Sequence, residues 1–85
     1  MRPEEIQRHV AKRPFEPFRV SLSDGSSIVV EHPELILVTR TSVTIAVRPR
    51  PGALPVINVF VDPIHVTRVD PVNGSGGRQG RRRKR

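Results

Sequence analysis

Three histidines and eight carboxylates are the side chains with which this 85-residue chain could do acid–base or metal chemistry. His32-Pro33-Glu34, with Glu31 beside it and His65 further on, is the arrangement to weigh first, because histidine is the usual ligand and proton carrier near neutral pH. The spacing speaks against it. His9, His32 and His65 fall on a predicted helix, a bend and the last strand, with no pair four apart on a helix. Glu31 and Glu34 flank a turn, where polar side chains are expected, and Pro33 shapes that bend. His65 is expected to satisfy a turn hydrogen bond, and Asp24 is explained by its own turn. There is no cysteine, so neither a thiolate zinc site nor a disulfide framework can form. No Gly-x-Ser-x-Gly elbow and no phosphate-cradling loop are present. Gly74-Ser75-Gly76-Gly77 leads into a basic run rather than a helix. With no nucleophile–base pair and no cofactor fingerprint, the sequence predicts a protein that is not an enzyme, with no cofactor, no metal and no small-molecule substrate.

The stronger chemical signal is charge. Arg78, Arg81, Arg82, Arg83, Lys84 and Arg85 put six cations and no anion into the last eight residues. Residues 1–77 then hold nine Lys and Arg against eight Asp and Glu, so the body is nearly neutral and the end carries almost the whole net charge of +7. Clustered cations displace condensed counterions from a polyphosphate, and Arg suits bidentate phosphate contacts. Contact with RNA or DNA is one reading of this run. A solvated, solubilising tail is another, and a targeting address is a third. No aromatic residue is interleaved, so base stacking of the kind single-strand binders use has no candidate there. Any such contact is predicted to be blind to sequence. Arg40, Arg48 and Arg50 could extend a basic patch, but read better as solvated loop charges.

All 30 apolar residues lie within residues 1–72. A segment without apolar residues and with dense like charge cannot offset its ordering entropy. Residues 72–85 are therefore expected to be a disordered Gly/Ser linker and basic tail, and residues 3–71 the single folded domain. A domain of that size buries only about 60% of its unfolded surface, which is a reason to expect a homo-oligomer. The longest apolar run is Leu35-Ile36-Leu37-Val38, far short of the roughly 18 residues of a membrane span. The opening Met1-Arg2-Pro3-Glu4-Glu5 is acidic where a secretory signal would be basic, so a cytoplasmic location is expected.

Thirteen Val and six Ile against four Leu and three Ala favour strands, since branching at Cβ disfavours helix. The exception is the start. Pro3 fits a first helical position, Glu4 and Glu5 suit the positive end of the dipole, and Ile6 and Val10 share a face, predicting a helix over 3–12 ended by Pro14. Phe18, Val20 and Leu22 alternate with Arg19, Ser21 and Ser23 as a half-buried strand. Asp24-Gly25 marks a tight hairpin, and Ile28–Val30 returns. Leu35–Val38, apolar throughout, is expected to be central or covered on both sides. Val43–Val47, Val56–Val61 and Ile64–Val69 follow, with a Pro-rich loop over 48–55. Phe15, Phe18 and Phe60, the only aromatics, are assigned to the core.

One helix and five or six short antiparallel strands predict a mainly β domain, a small barrel that resembles the Sm-like and SH3-like folds in architecture. The glycine–asparagine RNA-pocket motif of true Sm proteins is absent: the corresponding stretch reads Val43-Thr44-Ile45-Ala46-Val47. A second resemblance rests on motifs. Pro14-Phe15-Glu16-Pro17-Phe18, Asp24-Gly25, His32-Pro33-Glu34 and Ile64-His65-Val66-Thr67-Arg68-Val69 are similar to the pattern of a group of short, uncharacterised bacterial proteins, over about residues 3–70. That resemblance implies the fold and a bacterial origin and carries over no functional residues.

Overall fold

The computed structural model describes residues 1–72. The linker Asn73–Gly77 and the basic run Arg78–Arg85 expected from the sequence lie outside the described residues.

Helix α1 spans Pro3–Ala11. Glu5 Oε1 accepts from the Arg2 N–H at 3.3 Å, satisfying a donor just ahead of the first turn. Lys12 is extended and ends the helix two residues ahead of Pro14. The helix is too short to persist alone; its buried residue, Ile6, fastens it to the body.

Six strands follow: β1 Phe18–Leu22, β2 Ser27–Val30, β3 Ile36–Val38, β4 Val43–Val47, β5 Ile57–Val61 and β6 Val66–Pro71. They form two antiparallel sheets of three strands, in the orders β2-β1-β6 and β3-β4-β5. The domain is thus mainly β with one short helix, as its composition implies. The closed five- to six-stranded barrel is not formed, and the physical reason lies at two corners. The chain leaves the first sheet at His32-Pro33 and returns to it at Asp62-Pro63, and each corner is a single 3-10 turn, Pro33–Leu35 or Pro63–His65. Proline has no N–H for a ladder and holds the residue before it extended; His32 and Asp62 are both extended. Each corner therefore ends one sheet and starts the other.

The Asp24-Gly25 hairpin forms as the sequence implies. Gly25 has a φ of +91°, and nothing lies within 4 Å of a Cβ built there, so the turn excludes other residues by backbone conformation rather than by crowding. Strand β6 then pairs with β1, with Val20 opposite Val69, and a register shift between Ser21 and Leu22 leaves Thr67 as the extra residue.

The core draws on the helix and all six strands: Ile6, Phe18, Val20, Val30, Ile36, Val43, Ile45, Val61 and Val66. Two expectations are corrected. Phe18 is buried at 1% exposure and Phe15 packs against the core, but Phe60 is 75% exposed. The reason is parity: Val59 and Val61 turn inward, so Phe60 between them faces out, opposite Thr44. Likewise Leu35–Val38 is neither central nor covered on both sides. Leu35 belongs to the 3-10 turn, β3 is an edge strand, and Leu37 stands 64% exposed on its outer face.

Candidate functional site

The residues with acid–base potential are placed by the turns. Ser23, at the end of the first hairpin arm, meets the second 3-10 turn: its N–H donates to the His65 carbonyl at 2.8 Å, and its Oγ lies 3.3 Å from His65 Nδ1. Asp24 is next to it in the chain, so a serine, a histidine and an aspartate share one rim. The geometry does not make a relay of them. The Asp24 carboxylate accepts from the Ser26 hydroxyl at 2.6 Å and the Ser26 N–H at 2.9 Å, and no hydrogen bond joins it to the His65 ring. The cluster stitches the hairpin to the corner, the turn role expected for His65.

Those bonds also act on the acidity of Asp24. The Ser26 hydroxyl, then its N–H, hold the Asp24 carboxyl below its ordinary value of 3.8, and the His65 charge adds a lesser pull the same way. A folded-state value below the unfolded one gives stability that is present above about pH 4 and is lost as pH falls through the depressed value. Asp24→Asn is therefore expected to lower the melting temperature at neutral pH, and the gap to the parent should close as the solution is acidified below pH 3.8. Thermal melts of both chains across the acid range check this; a gap that persists unchanged at the acid end would refute it.

The other candidates are dispersed. The His9 ring packs on Phe18 with centroids 5.4 Å apart, and His32 is exposed ahead of its corner. No group of three or more His, Asp or Glu side chains among the described residues could hold a metal ion. Arg40 sits in the turn before β4 and Arg48 and Arg50 lie beyond its far end, so a strand of five residues, about 17 Å, separates them. They do not form one basic patch. The residues proposed for nucleic-acid contact, Arg78, Arg81, Arg82, Arg83, Lys84 and Arg85, lie outside the described residues.

What the sequence reading missed is an apolar surface. On the outer face of the second sheet, Leu37, Thr44 and Phe60 form one cross-strand row and Ala46 and Asn58 the next. None of these five is charged. Leu54, Val56, Ile57 and Ile64 add exposed apolar area along or beside β5. Where β5 faces the first hairpin, Leu22, Ile28, Val59 and Phe60 help line an open groove of about 490 Å³ that also includes Asp24, Asp62 and His65. Comparison of the chain with family models, with curated proteins and with solved structures gives no match in any of the three. No helix of the described residues is long and apolar enough to cross a membrane.

Proposed function

We propose that this protein is a non-enzymatic binding module whose basic run, Arg78 to Arg85, contacts RNA or DNA without reading sequence. The observation that carries this is charge segregation: six cations in the last eight residues, against nine cations and eight anions in the preceding 77. A near-neutral body gives a polyanion little to hold, and the run supplies the counterion-releasing contacts that dominate non-specific affinity. The separation of Arg40 from Arg48 and Arg50 supports assigning the contact to the run rather than to the body. A cytoplasmic setting belongs to the same reading. So does kinship with small barrels of the Sm-like or SH3-like type, and with the short bacterial proteins that share the Pro-Phe, Asp-Gly and His-Pro-Glu motifs. The two proline corners and the helix-first strand order support a barrel path divided into two sheets.

The test is a salt titration of binding to single-stranded RNA. Six engaged cations predict a log–log slope of about −4, and truncation after Gly77 should abolish the binding. Affinity retained by the truncated chain would refute the reading.

A second reading, contact between proteins through the folded body, is favoured by a separate observation: the uncharged outer face of the second sheet, with Leu37 and Phe60 standing out from it.

A further inference from the structure

We infer that β5 is a dimer edge: two copies of this chain pair antiparallel along Ile57–Val61, about a two-fold axis near Val59, joining their β3-β4-β5 sheets into one of six strands. The inference rests on the second reading above and does not involve the basic run.

Sheet edges are normally guarded by charge, proline, bulges or shortness. Three of the four edges here have such a guard. Strand β6 carries the Arg68–Asp70 ion pair at 2.7 Å and ends in Pro71. Strand β3 has only three residues and β2 only four. Strand β5, Ile-Asn-Val-Phe-Val, has five residues and neither charge nor proline, and it is an edge along its whole length. Alternate residues of such a strand direct N–H and C=O groups away from their sheet, a template for another strand.

Its side chains are as unguarded as its backbone. Eight large apolar residues are exposed among the described residues, and five of them, Leu54, Val56, Ile57, Phe60 and Ile64, fall within residues 54–64. The occupant suits a second copy of the same chain. A two-fold about Val59 sets Ile57 against the partner's Val61 and Asn58 against the partner's Phe60. It also brings the end bearing Ile64 beside the end bearing Leu54. Every side chain opposed within the strand is uncharged. Asp62, the acid next to the strand in sequence, lies at opposite ends of the paired ladder in the two copies, about 20 Å apart and beyond the screening length. Residues 73–85 contain no apolar side chain, so they cannot supply the cover.

The test is sedimentation equilibrium of the full chain, nuclease-treated and in about 0.15 M salt, where a charge added at the edge is still felt over about 8 Å. The parent should show a monomer–dimer equilibrium. Asn58→Lys places a cation on the exposed face of β5 and should raise the dimer dissociation constant about tenfold or more, with an unchanged circular dichroism spectrum. Ser27→Lys, on the β2 edge, should leave it unchanged. Dimers broken by Ser27→Lys and indifferent to Asn58→Lys would keep self-association and overturn β5 as its site. A parent that stays monomeric at millimolar concentration would overturn both the site and the protein-contact reading for copies of this chain. A monomer whose β5 amides become protected only when single-stranded RNA is added would give the face to that ligand and overturn the dimer.

Discussion

Phe18→Ala is expected to remove about 3–5 kcal/mol of folding stability, the largest loss from any single truncation in this domain. Phe18 is the largest fully buried side chain, 1% exposed. It starts the central strand of the first sheet, opposite Val30 on one side and Pro71 on the other. Its ring also meets two others, His9 on α1 at 5.4 Å and Phe15 at 5.8 Å, both tilted. Truncation therefore leaves a cavity where helix, loop and sheet converge, and no large neighbour can fill it from a core made mostly of Val and Ile. A domain of about 70 residues has roughly 4–10 kcal/mol in total, so the loss takes about a third of it or more. The melting temperature should fall by roughly 15–30 °C. Phe60→Ala makes the same chemical change on the outer face of β5 and should stay within about 0.5 kcal/mol of the parent when measured on dilute monomer. Thermal and urea melts of the two variants check both statements. Equal losses would mean that Phe60, not Phe18 alone, belongs to the core.

The contrast between those two phenylalanines marks where sequence reading succeeds and where it stops. Phe18 is legible because it opens a clean alternation, Phe18-Arg19-Val20-Ser21-Leu22, in which only one face is apolar. The Asp24-Gly25 turn is legible because a positive φ is a local demand. The bend at His32-Pro33 is legible because proline acts on its own neighbours. Val56–Val61 offers no such contrast: five of its six residues are apolar, so either parity would bury a hydrophobic set, and nothing local decides that Val59 and Val61 turn inward. The same holds for Leu35–Val38, whose uniform apolar character reads as cover on both sides. Whether a face is covered depends on what the rest of the chain lays over it, and here the single short helix and one opposing sheet cover the inner faces only. The pairing of β1 with β6, which closes the first sheet across most of the chain, is likewise a tertiary choice. For function the positions are reversed. The basic run is read from the sequence alone and lies outside the described residues, whereas the bare β5 edge is visible only in the structure.

That shortage of covering layers makes the helix the next most sensitive point. Ile6→Ala is expected to cost about 2–5 kcal/mol. Ile6 is fully buried and is the helix's sole buried residue; His9 and Val10 assist from the same side as half-buried neighbours. A nine-residue helix has little stability of its own, so what holds α1 in shape is the docking of that one side chain beside β3. The segment ahead of it depends on the same docking, since the Met1 amine donates to the Pro63 and Val66 carbonyls at 2.8 and 3.1 Å. The two sheets, by contrast, keep Phe18, Val20, Val43 and Ile45 packed together when Ile6 is truncated. The loss should therefore appear first as local opening. Amide exchange in residues 6–11 should quicken by roughly 30-fold or more, while the amides of β1 and β4 change less. Ile6→Val, which removes one methylene, should cost only about 0.5–1.5 kcal/mol. Hydrogen exchange followed residue by residue separates this from the alternative. Equal acceleration in α1, β1 and β4 would mean that helix and sheets open as one unit, and that Ile6 supports the interior between the sheets as much as it anchors the helix.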